Sequence, residues 1–525
     1  MAFSVLAAIA ALWLVNAPLA SAAVSEESAI GIANQDANVV REEAENGPLA
    51  PVAERTEGHW EVGYFVGGEE VALVLVDPKS GDVIESWTGY QVAWKMARGY
   101  AGAFGHKLNA PYVFLPLCAL FLLGLVDWRR WRRVANLDLL VLLGFGVSHY
   151  FFNRAEIGVS APLQYPVLLY LLGRALWIGF GGRGEGLRPV WPAAWLLVAA
   201  LFLLGFRVGL NVADSGTIDV GYASVAGADR ITHGEPIYDN FPDDVSQGDT
   251  YGPVNYLAYV PFELVWPWSG SWDDLPAAHG AAVGFDVLAF LLLIVLGMRI
   301  RPGPQGRRLG ATLAFGWVAY PYTAYALESN SNDTLVAVLL VALLLVLARP
   351  IARGALAALV TWAKFAPALL VPMLATYRPP RAAFAAHTDA NAARVPRPLG
   401  FLVAFAAVTA LVLIWPAIDP GLGTVYERTI AYQAGRDSPF SIWGQVPSLE
   451  PLRIALLAAT AALSLALAFV PRRKSLVQVA ALGAALLIAL QLTMQHWFYL
   501  YVVWFYPLLL LAFARPPEPA PKARI

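Results

Sequence analysis

Apolar runs of roughly membrane-spanning length, parted by short polar turns, fill the chain from residue 112 onward, and one long polar interval, 211–256, interrupts them. The runs 112–126, 137–152, 163–181, 191–210, 278–298, 309–326, 334–347, 400–416, 451–470, 476–494 and 497–515 each predict a helix that crosses a bilayer. The run 354–377 is split by Lys364 and Pro367 into halves too short to cross, which predicts a broken helical hairpin dipping in from one side. Residues 254–268, interrupted by Pro261 and Pro267, read as interfacial. Basic clusters at 129–133, 299–308 and 472–474 mark cytoplasmic ends. Counting crossings from them places 211–256 and the polar tip 328–333 on the outer face. The expected fold is an all-α polytopic membrane protein of about 12 membrane segments, the broken helical hairpin counted as one.

Ahead of the spans the pattern changes. Residues 1–23 form an apolar run ending in Ala20-Ser21-Ala22, as a signal peptide does. Residues 24–58 are acidic and poor in aromatics, which predicts a linker. Strand-like alternation over 60–66, 71–76 and 83–87, a turn at 77–82 and a helix over 90–100 predict a small α+β domain, 59–110, facing outward. Residues 111–190 add transmembrane helices, 191–515 form the main membrane core, and 516–525 are a cytoplasmic tail.

Composition narrows the function. With 58% hydrophobic and 14% charged residues the chain is no ordinary soluble domain. The net charge of −2 says little, because a membrane protein's charges sort by side; no basic patch points to a nucleic-acid partner, and the single cysteine, Cys118, lies in an apolar run and forms no intrachain disulfide. The interval 211–256 holds Asp214, Asp219, Asp229, Glu235, Asp239, Asp243, Asp244 and Asp249, opposed only by Arg230 and His233. Lys364, Arg428, Arg436 and His496 reach the same side. Cations there can hold a phosphate while a carboxylate takes a proton from a hydroxyl, so the substrate expected has an anionic and a hydroxylic part. The acidic clusters raise the question of a divalent metal, but no spacing is a metal-ligand signature, so no metal is predicted and no cofactor is expected.

Two resemblances sharpen this. The string VLVDPKSGDVIESWTGYQVAW resembles the PepSY-type propeptide and sensor modules. The pattern Asp219-x-x-Tyr222, then Gly234-Glu235-Pro236-Ile237-Tyr238-Asp239 and Tyr251-Gly252-Pro253, resembles the first outer loop of polyprenyl-phosphate-mannose-dependent mannosyltransferases, of the C-type superfamily of integral membrane glycosyltransferases. The Asn330 and Asn332 tip, WAKFAP around Lys364, SPFSIWG and QHWFYLYVVWFYP with His496 follow in the family's order. The resemblance implies a transferase moving a hexose, mannose above all, from a polyprenyl-phosphate donor to a glycan, glycolipid or lipid acceptor, outside the cytoplasmic membrane and among its lipids. It implies Asp219 as base, with Asp214 in reserve, and Lys364 and His496 beside the leaving phosphate; Tyr222, Tyr238, Asn330, Asn332, Arg428 and Arg436 complete the expected substrate contacts. A transporter or flippase with a sensor domain is the rival reading.

Overall fold

Alternating apolar residues build the first compact unit, which ends at Arg98. The computed structural model describes residues 24–514 except 57, 183–185, 381–396 and 437; the expected signal peptide and tail lie outside them. Four antiparallel strands pair in chain order: β1 (Ala50–Arg55), β2 (Trp60–Val66), β3 (Glu69–Val76) and β4 (Val83–Thr88). The turn before β4 is held by Asp77, whose Oδ1 accepts from Lys79 N at 2.7 Å and Ser80 N at 2.9 Å. Those two backbone bonds hold its carboxyl below the usual range.

The expected linker is corrected here. Residues in 24–58 form α1 (Glu26–Ala33), α2 (Ala37–Asn46) and β1. Ala29, Ala33 and Val39 pack on Trp60, Val62, Tyr64 and Val74, and Tyr64 donates to Asn34 Oδ1 at 2.7 Å. Ser25 and Asp36 cap the two helices. The segment lacks aromatics because it uses alanines against the rings that the sheet supplies. The helix expected over 90–100 is only one turn, Tyr90–Ala93, followed by a 3₁₀ turn, Lys95–Ala97, and the unit stops at residue 98 rather than 110.

The second unit, from Gly99 on, is helical. Its main elements are α3 (Pro111–Leu125), α4 (Val134–Leu143), α5 (Phe145–Phe152), α6 (Ile157–Gly179), α7 (Ala193–Asp214), α8 (Asp219–His233), α9 (Pro253–Glu263) and α10 (Pro276–Ile300). There follow α11 (Gly303–Ala319), α12 (Pro321–Glu328), α13 (Asp333–Leu345), α14 (Pro350–Ala363), α15 (Val371–Ala375), α16 (Arg397–Ile418), α17 (Glu450–Phe469), α18 (Leu476–Gln491) and α19 (Val502–Ala514).

Among the described residues five helical stretches are long and apolar enough to cross a membrane, not about twelve: Val134–Phe152, Ala193–Asp214, Pro276–Ile300, Pro398–Ile418 and Pro447–Phe469. Other apolar runs are cut short. Pro321 ends α11 at Ala319, because the residue before a proline is pushed out of the helical region. Lys364 is extended, with φ −144° and ψ 139°, and breaks the run as expected; beyond it the chain folds back and α15 packs on α14.

Burial separates two kinds of helix. Phe202 on α7, Leu411 and Ile418 on α16 and Phe469 on α17 are exposed apolar residues, as on helices that face lipid. By contrast α13, α18 and α19 are buried nearly all round. A buried ion pair ties three helices together: Arg207 on α7 donates to Asp286 Oδ1 on α10 at 2.9 Å, and Trp317 Nε1 on α11 donates to the same oxygen at 2.8 Å. Sequence reasoning singled out neither charge.

Candidate functional site

The site begins where α7 gives way to α8. Gly216 N donates to Phe104 O and Ile218 N to Ser329 O, so the connecting strap is stitched on both sides by backbone bonds. A Cβ on Gly221 would come within 2.2 Å of Asn330 O; only glycine lets the first turn of α8 lie this close to the 329–332 turn. Asn330 is itself left-handed, φ +48°. Its amide donates to Ser215 Oγ at 3.1 Å and Gly216 O at 3.0 Å, and it accepts from Asn211 Nδ2 at 2.9 Å.

This stitching presents Asp219, the first residue of α8, to a cavity of about 180 Å³ shared with Asp244, Gln247 and Tyr251. Its Oδ1 accepts from Val220 N at 2.9 Å, and among the described residues no side chain hydrogen-bonds it. Burial pushes its carboxyl above the usual range, while Arg436, the Val220 N–H and Lys364 pull it down by less. The result is a carboxylate that faces two cations and is spent on neither.

Lys364 lies in a ring of aromatics. Its Nζ is 5.1 Å from the centroid of Trp504, 5.3 Å from Tyr251 and 5.7 Å from Tyr501, and it donates to Asp333 Oδ1. Trp504 Nε1 donates to that same oxygen at 2.7 Å. Lysine is 7% exposed and aspartate 1%, so both charges are out of bulk water, and the ring faces add cation–π attraction to the pair.

Arg436 makes no hydrogen bond or ion pair among the described residues, and its charge acts on Tyr501, Tyr251 and Asp219. His496 Nδ1 lies 3.0 Å from Ser438 Oγ, its ring 5.6 Å from Phe440 and 6.4 Å from Tyr501; it too feels Arg436. Asp219, Lys364, Arg436 and His496 thus form one electrostatic group around Tyr251 and Tyr501.

No family model, curated protein or solved structure matches this chain.

The other expected site residues hold the scaffold. Asp214 is paired with Lys107, whose Nζ and backbone N both lie 3.1 Å from its carboxylate. Arg428 grips Asp249 with Nε at 2.6 Å and Nη2 at 2.8 Å, and Asp249 also accepts from Asp239 N. Tyr222 donates to Asp244 and stands against Trp268 and Trp272. Tyr238 donates to Tyr251 O, which fixes the backbone of a ring that faces Lys364. Asn332 and Asn255 both donate to Ser224 Oγ on α8.

Sequence reasoning passed over Asp333 as a partner and Tyr251, Tyr501 and Trp504 as a cage. The signal was present, since a lysine inside an apolar run needs a counter-charge and the 328–333 tip, read on the outer face, holds carboxylates. No group of three or more His, Cys, Asp or Glu among the described residues is placed to hold a metal ion. The arrangement offers one available carboxylate for accepting a proton and cationic groups for meeting developing negative charge.

Proposed function

We propose that this chain is a membrane glycosyltransferase that moves a hexose, mannose in the first instance, from a polyprenyl-phosphate donor to an acceptor hydroxyl on the outer face of the cytoplasmic membrane. One observation carries the catalytic reading: Asp219, with no side-chain hydrogen bond among the described residues, feels the charges of Arg436 and Lys364, and the resemblance of its loop supplies the donor. Asp219 takes the proton of the acceptor hydroxyl as that oxygen bonds to the anomeric carbon. The bond from that carbon to the phosphate oxygen breaks from the opposite side, and its electron pair leaves with the polyprenyl phosphate. Lys364 and Arg436 meet the charge that develops there, and His496 stands at the edge of the same group. Attack opposite the leaving group inverts the anomeric centre.

The test is transfer of radiolabelled sugar from polyprenyl-phosphate mannose in membranes holding matched amounts of wild type or Asp219→Asn. Product from the wild type and none from the variant supports both enzyme and base. Equal product from both removes Asp219 from the mechanism, and no product from either removes this donor. The breaks at Lys364 and at Tyr320 favour a second reading, a transporter or flippase, since carriers build substrate sites from interrupted helices; uptake of label into vesicles without covalent product selects it.

A further inference from the structure

A second cavity, of about 690 Å³, lies between α3 and the α4–α5 pair. Its volume is that of pockets which take a drug-sized ligand. Much of the lining is apolar, with Phe114 and Cys118 of α3 and Leu143 opposite, and the exposed Leu115 and Val147 form its rim. One end is polar: Asn109 precedes the start of α3, and Asn153 and Arg154 follow the end of α5. The cavity is therefore amphipathic along its length.

Polar atoms at that end are buried and lack partners. Among the described residues neither Nδ2 nor Oδ1 of Asn109 has a hydrogen bond, nor has Asn153 Oδ1. His149, 3% exposed on the cavity wall, leaves Nε2 without a bond of normal geometry, although Asn153 stands close enough to interact with it. Arg154 is already engaged, donating to Glu156 at 2.7 Å and to Tyr150 OH at 3.3 Å. A carboxamide with donor and acceptor both vacant matches a hydroxyl, which accepts from one atom and donates to the other. A bare anion leaves Asn109 Oδ1 unmet.

The mouth opens on a surface already apolar: Leu115 is 62% exposed and Val147 58%. Val147 belongs to the Val134–Phe152 stretch, one of the five long enough to cross a membrane, so a ligand reaches this mouth from the bilayer. We propose that the groove binds one hydrocarbon chain of a membrane lipid whose hydroxyl-bearing head group sits at the Asn109 and Asn153 end. Ring contacts run from its wall toward the other site: His149 stacks on Tyr499 at 4.4 Å, and Phe152 on the same helix packs on Phe440, whose ring lies against His496. Binding itself does not depend on any transfer reaction.

The test places the full chain in nanodiscs with a monoacylglycerol carrying a photoreactive diazirine in its tail, and compares a methyl ester with the same tail. Peptide mapping is expected to find adducts on α3 and α5, about tenfold fewer from the methyl ester, the worth of one to two hydrogen bonds. Asn109→Ala, which removes atoms with no partner, is expected to erase that preference. Leu115→Trp at the exposed rim is expected to cut labelling by both probes. Adducts spread evenly over α7, α16 and α17, or equal labelling by the two probes in the wild type, overturn the proposal.

Discussion

Lys364 and Asp333 join opposite ends of two neighbouring helices: the lysine follows the last residue of α14, and the aspartate is the first of α13. A cation at a helix C-terminus and an anion at an N-terminus each meet a favourable backbone dipole, so both charges are supported before they meet. Lys364→Met strands Asp333 in a site that is 1% exposed and is expected to cost about 3–5 kcal/mol. Adding Asp333→Asn is expected to recover most of that stability and none of the transfer. Thermal unfolding in detergent beside a transfer assay separates the two effects.

Asp219→Asn is expected to lower transfer by about 10²–10⁴-fold, the usual worth of a positioned base, while Asp214→Asn, which only loses Lys107, changes it a few-fold at most. The stability effect has the opposite sign. A carboxyl raised in the folded state favours folding at acid pH, where it is protonated, and that advantage is lost as pH rises through the folded value. Asp219→Asn is therefore expected to unfold at a higher temperature than wild type at neutral pH, with the gap closing toward acid pH. The acid limb of the transfer profile is expected to lie above the ordinary aspartate range.

Two arginines of the segment 426–445 are expected to part company. Arg428→Ala removes both bonds from fully buried Asp249 and is expected to destabilise by about 2–3 kcal/mol. Arg436→Ala breaks no hydrogen bond among the described residues and is expected to leave unfolding within about 0.5 kcal/mol, yet to cut transfer at least tenfold. Denaturation and steady-state kinetics on matched preparations check both.

Gly221→Ala forces Cβ against Asn330 O and is expected to cost about 1–3 kcal/mol and to move Asp219 away from its cations. Gly209→Ala on α7, where nothing lies within 4 Å, is expected to be neutral or to stabilise by about 0.5 kcal/mol. Thermal unfolding of the pair distinguishes close approach from helix propensity.

The sequence showed the break at Lys364, where a charge and a proline interrupt one apolar run, and it showed the polar interval carrying Asp219. It showed β2, β3 and β4 through their alternation. It hid which carboxylate each cation takes. Arg428 to Asp249 and Lys107 to Asp214 span long separations that no period marks. The helices at 26–46 were hidden as well, since Ala29 and Ala33 declare a buried face only once Trp60 and Tyr64 are seen above them. Crossing number was overestimated because apolar content says nothing of where Pro321 or a 3₁₀ turn such as Tyr499–Tyr501 shortens a helix.

The contrast between lipid-exposed and enclosed helices bears on the setting in which the site works. Bilayers differ in hydrocarbon thickness, and a spanning helix accommodates the mismatch by tilting, at a fraction of a kcal/mol per ångström. Here α7, α16 and α17 present apolar side chains outward and would absorb that adjustment, whereas α13, α18 and α19 touch protein on nearly every side. The short inner helices have no hydrophobic length of their own to match, which insulates the Asp333 and Trp504 framework from the thickness of whatever membrane surrounds it.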